Sequence, residues 1–308
     1  MSGPIEALIS RDANAKLAIS EKIALFRSLF HGRDDVHAVR WEGANGKHGY
    51  SPASIRNWDA LRSLPKSEWK KRDKETRQLL PLTDEAIHSH LSGKITIGVY
   101  PLLPGETCWF VAVDFDGTAW REDSAAFIET CREWQVPAAL ERSRSGNGAH
   151  VWVFFTIPIS AALARSFASA LLTSTMQRRH QLGLRSYDRL FPNQDTMPNG
   201  GFGNLIALPL QKAPRRSGYS VFLDDSLEPI SDQWSFLARI QRVDRPTLER
   251  IVRDAEKTGN VIGVRMSFVE HEDVDDPWLL PPSGRKPEQS VCGKLPEQLE
   301  LCARTYCS

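Results

Sequence analysis

The sequence predicts an α+β fold, a sheet with helices packed on one face, whose core spans residues 95–225. Strand and helix patterns alternate without a strict strand–helix–strand cycle, which favours this class. Residues 108–116 form the strongest strand pattern of the chain, and residues 149–157 form a second, strongly apolar one. These two runs carry the prediction of a buried sheet.

The elements before the core are predicted from the spacing of apolar residues and from residues that typically begin or end helices. Residues 20–30 predict a helix, because Ile23, Phe26 and Leu29 fall on one face. A second helix is expected to begin at Thr83 and to end at Gly93. The other expectations here are a strand over 36–41, a glycine-bearing loop over 43–49, a solvated basic helix or excursion over 62–77, and a strand over 95–100.

The later elements complete the expected core. Ser160 caps a long helix that is expected to reach residue 182 and to stop at Gly183. The remaining expectations are helices over 124–134 and 246–257 and strands over 203–210 and 220–223.

The chain is expected to divide into a leader, one main domain and a tail. The leader is 1–18 and the domain is 19–245, with an N-terminal module over about 19–94. A C-terminal helix over 246–258 precedes 259–308, which we interpret as a linker or tail because it is first acidic and then rich in proline.

Composition excludes several classes of protein. The 308 residues are 41% hydrophobic and 25% charged, a globular balance, with a net charge of +1. This charge excludes binding of nucleic acid through bulk charge alone, but it allows a local basic groove. Because the N-terminus lacks an apolar signal core and no run spans a bilayer, we expect a cytoplasmic protein without a membrane partner.

The five cysteines predict neither a disulfide framework nor a zinc site. Cys108 and Cys131 fall in a strand and a helix pattern, where small core residues are expected. Cys292, Cys302 and Cys307 lie in the tail and lack a fourth ligand. No zinc is therefore predicted.

Two carboxylates follow the strongest strand pattern. Side chains alternate along a strand, so Asp114 and Asp116 project from the same face. They repel each other unless a cation neutralises them, and hard cations such as Mg²⁺ prefer oxygen ligands. The alternative is a strand end with a turn at Asp116 and Gly117.

A glycine-rich turn precedes the second strand pattern. Gly146 and Gly148 allow a tight turn whose N–H groups can face an anion. The polar residues around them suit a triphosphate: Arg142, Arg144, Ser145, Asn147 and His150. The alternative is a hairpin loop with a structural histidine.

A third acid and a basic turn follow the long helix. Asp195 is the preferred third metal ligand, and Asp188 competes with it but is expected nearer the helix end. After the next strand come Lys212, Arg215 and Arg216, which either hold phosphates of nucleic acid or form an exposed basic turn.

These motifs, in this order, resemble those of the archaeo-eukaryotic primases, and most closely the primase-polymerase domain of TOTE conflict systems and the related CRISPR-associated enzymes. The resemblance covers roughly residues 20–245. Five segments carry it: FRSLFHGRDDV at 26–36, GVYPLLP at 98–104, ERSRSGNGAH at 141–150, FPNQD at 191–195 and GFGNLIALPLQ at 201–211.

The resemblance implies an RRM-like catalytic sheet that forms a cleft with an N-terminal α/β module. It implies template-directed addition of nucleotides to a 3′-hydroxyl, with or without a primer, and two Mg²⁺ or Mn²⁺ ions. The matching residues are Asp114, Asp116 and Asp195 for the metals, and Ser145 and His150 for the triphosphate. Asn204 is a further expected nucleotide contact.

The implied partners are a single-stranded DNA template and primer, nucleoside triphosphates, and a helicase domain or protein.

The sequence departs from the family pattern in one segment. Residues 58–80 contain no cysteine or histidine, whereas relatives often carry a cysteine cluster there. A metal-dependent nuclease and a non-catalytic single-stranded nucleic-acid-binding module remain alternatives.

Overall fold

The computed structural model describes residues 17–43, 45–178, 186–198 and 200–257. The expected leader up to residue 16, the end of the long helix at 179–185 and the tail from 258, with its three cysteines, lie outside these residues. The helices are α1 (Ile19–Leu29), α2 (Trp58–Arg62), α3 (Lys66–Thr76), α4 (Asp84–Ser92), α5 (Trp120–Glu133), α6 (Ala161–Arg178), α7 (Lys212–Arg215), α8 (Gln233–Ala238) and α9 (Arg245–Lys257).

The strands form antiparallel sheets. They are β1 (Ala38–Glu42), β2 (His48–Pro52), β3 (Ser54–Ile55), β4 (Gln78–Leu79), β5 (Ile97–Val99), β6 (Thr107–Asp116), β7 (Ala139–Arg142), β8 (Gly148–Ser160), β9 (Tyr187–Phe191), β10 (Ile206–Ala207) and β11 (Val221–Phe222). A five-stranded sheet has the order β11-β7-β8-β6-β9, a four-stranded sheet has the order β10-β5-β1-β2, and β3 pairs with β4.

The five-stranded sheet is the core of the fold. Its long central strands β6 and β8 match the two strongest strand patterns, and α5, α6 and α9 pack against them. On this face Phe115 contacts Phe127 of α5, and Phe155 contacts Phe167 of α6. The prediction of a mixed fold of helices and strands is confirmed, and the structure adds that neighbouring strands pair antiparallel.

The prediction that helices cover one face of this sheet is incomplete. Phe30, just after α1, packs edge-on against Trp152 and Phe154, with ring centroids 5.0 and 5.5 Å away. Side chains alternate along β8, so these rings lie on the face opposite to Phe155. Helix α1 was expected in an N-terminal module, but Phe30, the residue that follows it, packs on the second face of the core sheet.

The four-stranded sheet combines distant parts of the chain. Strands β1 and β2 come from the expected N-terminal module, whereas β5 and β10 come from the segment assigned to the core. The boundary near residue 94 stays a prediction.

Most predicted elements are present, and several have different bounds. The helix 83–93 is confirmed: the Thr83 hydroxyl accepts from the Ala86 N–H, and Gly93 ends the helix in the left-handed conformation. The strand expected over 203–210 is reduced to β10, because Pro209 has no N–H and Leu210 has a φ of 64°. Five strands were not predicted, namely β2, β3, β4, β7 and β9, and β2 begins within the loop expected over 43–49.

Cys108 and Cys131 are buried as expected, and burial raises the pKa of the Cys108 thiol to about 12.

Among the described residues, no helix is both long and apolar enough to cross a membrane.

The side chain of His90, on α4, forms hydrogen bonds with β5 and with the segment that follows β10. Its Nδ1 accepts from the Ile97 N–H at 3.1 Å, and its Nε2–H donates to the Pro209 carbonyl at 2.9 Å. The ring is fully buried, and this burial lowers its pKa from 6.5 to about 4. His90 is therefore a neutral structural residue at pH 7.

We expect the free energy of unfolding to fall between pH about 6.5 and pH about 4. In this window the unfolded chain binds a proton that His90 in the folded chain excludes, which costs about 3 kcal/mol. The stabilisation is present above pH about 6.5 and is lost as the pH falls towards 4. Urea unfolding of the native chain and of His90→Gln at several pH values measures this. A native-like pH dependence in the variant would contradict the assignment.

Candidate functional site

The two acids of β6 face the same side of the core sheet as Trp152. Asp114 is buried at 7% exposure, whereas Asp116 at the strand end is exposed. One carboxylate oxygen of Asp114, Oδ1, is buried and has no hydrogen-bond partner among the described residues. A buried carboxylate oxygen that receives no hydrogen bond, and whose nearest cationic group is the His150 ring at 3.5 Å, is suited to ligate a metal ion.

A third acid, Asp188, joins them through a bulge. In the pairing of β6 with β9, Asp114 lies opposite Arg189 and Phe115 lies opposite Tyr187, so Asp188 is the extra residue. A bulge changes the direction in which a side chain points. Carboxylate oxygens of Asp114, Asp116 and Asp188 consequently lie within 4.8 Å of one another.

The start of β9 is fixed by a buried aspartate. The Asp123 carboxylate of α5 accepts from the Ser186 N–H at 3.0 Å and from its hydroxyl at 2.7 Å. The Ser186 carbonyl in turn accepts from the Asp116 N–H at 2.6 Å. These bonds set the register that places Asp188 beside the strand of the first two acids.

Asp195, the third acid expected from the sequence, is engaged by a different partner. Its carboxylate is half exposed and forms an ion pair with Arg165 of α6. It is not part of the acid group that Asp188 completes. The sequence pattern over 187–191 does not stand out as a strand, and without β9 Asp188 is expected near the end of the long helix, which favours Asp195 instead.

Electrostatics in the acid group favour a bound cation. Burial, together with the charges of Asp116 and Asp188, raises the pKa of Asp114 to about 6. His150 and Arg189 oppose this rise. The Arg189 guanidinium lies 2.5 Å from Asp188 and 3.9 Å from Asp114, so it partly neutralises the group.

His150 is held by Glu141, a residue to which the sequence argument gave no role. The buried Glu141 carboxylate accepts from His150 Nδ1 and from Trp152 Nε1, both at 2.9 Å. Burial opposes a charge on His150, but Glu141, Asp114 and Asp116 outweigh it and raise the pKa of His150 to about 9. The other ring nitrogen, Nε2, lies 3.5 Å from Asp114 Oδ1.

The glycine-rich turn is the hairpin between β7 and β8. Gly146 has a φ of 76°, and a Cβ at this position would lie 2.6 Å from the Tyr219 ring. A Cβ on Gly148 would lie 2.7 Å from the Phe115 carbonyl oxygen and 2.2 Å from Asp116 Oδ1, and because the carbonyl belongs to the backbone of β6, only glycine lets the turn approach this strand so closely. Both predicted glycines are therefore required, and the turn borders the acid group.

The polar residues of the turn divide into two groups. Arg144 and Ser145 line a cavity of about 180 Å³ together with Asp114, Asp116 and His150. Arg142 instead binds within the loop, where its Nε donates to the Gly146 carbonyl at 3.0 Å and its guanidinium lies 4.6 Å from the Tyr219 ring centroid.

Asn147 is exposed and contributes its backbone to the turn. Its N–H donates to Ser145 Oγ at 3.2 Å, and its carbonyl accepts from the Gly117 N–H at 3.2 Å. It therefore links the turn to the end of β6.

Asn204 is engaged with the backbone. Its amide donates to the Leu190 carbonyl at 3.1 Å and accepts from the Asn193 N–H at 3.2 Å, so it supports the end of β9. It does not line the cavity.

The basic turn predicted from the sequence is α7. Lys212 and Arg216 are exposed, and partial burial lowers the pKa of Arg215. These three residues do not line the cavity.

Arg40 is a second residue that sequence reasoning missed. It lies on β1 opposite Tyr50, and burial and the charge of Arg144 both lower its pKa. Arg40 and Arg144 share one counterion, Glu42, and the buried Arg144 Nε has no hydrogen-bond partner among the described residues. This pair of guanidinium groups is suited to an anion. The alternation in β1 could have suggested that Arg40 projects from the sheet, but not that it meets Arg144.

A family model described as "TOTE conflict system, Archaeo-Eukaryotic Primase domain" matches residues 21–251. No curated protein matches the chain. Among solved structures, the chain is similar to "Polymerase Domain from Mycobacterium tuberculosis Ligase D in complex with DNA", with 11% identity, 79% of this chain and 90% of that chain covered, and a TM-score of 0.35. That score is too low to support an argument about fold or function.

Proposed function

The chain belongs to the archaeo-eukaryotic primase domain family of TOTE conflict systems, and from this premise we propose that it is a template-directed nucleotidyltransferase that adds nucleotides to a 3′-hydroxyl. One observation carries the proposal. Acids from two neighbouring strands, Asp114, Asp116 and Asp188, converge beside a cavity that is also lined by a cation and a hydroxyl suited to phosphate. We propose that the five-stranded sheet is the RRM-like catalytic sheet of the family.

The acid group fits divalent cations. Its oxygen donors, the raised pKa of Asp114 and the lack of a hydrogen bond to Asp114 Oδ1 suit hard ions, for which we propose Mg²⁺ or Mn²⁺. Two such ions, when bound, would activate the 3′-hydroxyl and stabilise the leaving pyrophosphate. We propose Asp188 rather than Asp195 as the third ligand.

The cation and the hydroxyl that line the cavity together with the acids suit the triphosphate of the incoming nucleotide. Ser145 offers a hydroxyl, and Arg144 offers a partly buried guanidinium with an unused N–H. Arg40, close to Arg144, adds a second positive charge. Glu141 fixes Nδ1 of His150, so Nε2 lies 3.5 Å from Asp114 Oδ1, and we propose that this nitrogen also contacts the triphosphate.

Other predicted residues support this arrangement. We propose that Arg142 and Asn147 hold the shape of the turn and that Asn204 supports β9, so these three residues act by positioning the site.

The basic residues of α7 are candidates for contacts with the phosphates of a single-stranded DNA template. They are Lys212, Arg215 and Arg216. Priming without a primer, and cooperation with a helicase, are further proposals from the family resemblance.

The test is incubation of the full chain with a labelled primer on a single-stranded DNA template, nucleoside triphosphates and Mg²⁺ or Mn²⁺. Lengthening of the primer that stops on chelation supports the proposal. Shortening of the labelled strand would indicate a nuclease. Binding without any change in length would indicate a non-catalytic module.

A further inference from the structure

Residues 54–79 form a small excursion from the edge of the four-stranded sheet, which we call the α2–α3 hairpin. The short strands β3 and β4 pair at its base, and the Leu80 N–H donates to the Ala53 carbonyl just beyond them. Leu61 is buried at 1% exposure, and Trp69 Nε1 donates to the Leu64 carbonyl at 3.0 Å. The hairpin therefore has a defined structure of its own.

Trp58 stands exposed on this hairpin. It is the only aromatic residue among the exposed large apolar side chains of the described ranges, with 48% of its surface accessible. Its ring is held edge-on to Trp69, with centroids 6.3 Å apart, and the Arg56 guanidinium lies 5.8 Å from its centroid. A tryptophan that is exposed and also held in place offers a ring face to a ligand.

The same hairpin concentrates positive charge. It contains eight lysine and arginine residues and four acidic ones, whereas the whole chain has a net charge of only +1. One of the four acids, Asp73, is buried and pairs with Arg56 and Arg77. Three lysines of α3 are exposed and form no ion pair within the described part of the chain: Lys66, Lys71 and Lys74.

We propose that the α2–α3 hairpin binds single-stranded DNA, with Trp58 stacking on a base and the three free lysines contacting phosphates. An exposed aromatic ring beside a basic helix is complementary to a strand whose bases are unpaired. The ring can stack on any base, and lysine ammonium groups can donate to any phosphate, so this binding does not depend on sequence. Paired bases in a duplex cannot reach the ring. This inference rests on the proposed function in one respect: the bound strand is the template.

The test is binding of the full chain to a labelled oligothymidylate, measured by fluorescence anisotropy over a series of salt concentrations. Trp58→Ala should raise the dissociation constant about tenfold, and Trp58→Tyr should stay within about threefold of native. Lys66→Ala/Lys71→Ala/Lys74→Ala should reduce the log–log salt slope by about 2, since each single-strand phosphate contact contributes about 0.7.

Matched controls remove similar groups elsewhere. Met176→Ala removes another exposed apolar side chain, and Arg250→Ala/Arg253→Ala/Lys257→Ala removes three exposed cations from α9. Both controls should bind as the native chain does. Native-like affinity of Trp58→Ala together with a native slope of the lysine variant would overturn the proposal. An equal loss of affinity for blunt duplex DNA would overturn the stacking role of Trp58.

The outcome is separable from that of the proposed function, because the binding assay needs neither nucleotide nor metal. If the native chain extends a primer but the hairpin variants bind oligothymidylate normally, the hairpin proposal fails alone. If no primer is extended but the hairpin variants lose affinity as described, only the proposed nucleotidyl transfer fails.

Discussion

Replacement of Asp114 and Asp116 by asparagine is expected to reduce nucleotide addition by about 10³-fold or more. The asparagines keep the size of both side chains but remove the negative charges that would hold divalent ions, and such ions contribute several kcal/mol to the stabilisation of a transition state. The measurement is the rate of primer extension under single-turnover conditions, with the native chain as reference.

The same variant provides its own folding control. Asp114 is buried and lies close to Asp116 and Asp188, so removal of two like charges should leave the melting temperature without metal unchanged or raise it. Added Mn²⁺ should raise the melting temperature of the native chain but not that of the variant. Extension at a native rate by a folded variant would refute the metal assignment.

Glu141→Ala is expected to lower the free energy of unfolding by about 3–5 kcal/mol, because it leaves a buried imidazolium and a buried indole N–H without their shared acceptor. Both partners, His150 and Trp152, are on β8 and bind this carboxylate at 2.9 Å. Urea unfolding at neutral pH measures the loss.

Glu141→Gln is the control, since it keeps a carbonyl oxygen in the same place and removes only the charge. We expect it to lose less than half as much stability as the alanine variant.

The pKa of His150 rises from 6.5 to about 9 on folding. The stabilisation of the folded chain by the charged His150 is therefore present below pH about 6.5 and is lost as the pH rises through about 9. This loss should be smaller in Glu141→Gln. Equal stability of the alanine variant and the native chain would show that the contact is unimportant.

Much of the site could be predicted from the sequence because it depends on local geometry. Alternation along a long apolar strand was enough to place Asp114 and Asp116 on one face. The two glycines before β8 predicted a tight turn, and the structure shows that Gly148 is needed next to Asp116. The helix from Thr83 to Gly93 followed from its capping residues.

The remainder depends on contacts between distant segments, which local patterns do not encode. Asp188 reaches the acid group through a bulge against β6, and alternation alone does not predict a bulge. Arg40 and Arg144 share the counterion Glu42 only because β1 of the four-stranded sheet lies next to the turn between β7 and β8. Glu141 belongs to a short strand with few apolar residues, so its pairing with His150 was not apparent.

Two single variants decide which aspartate completes the acid group. Primer extension by Asp188→Asn and by Asp195→Asn should be compared with that of the native chain under the same Mg²⁺ and Mn²⁺ conditions. We predict that Asp188→Asn loses about 10²-fold or more in rate, because it removes a ligand from the acid group, and that Asp195→Asn stays within about tenfold of native. A large loss in Asp195→Asn with a native rate in Asp188→Asn would contradict the site described.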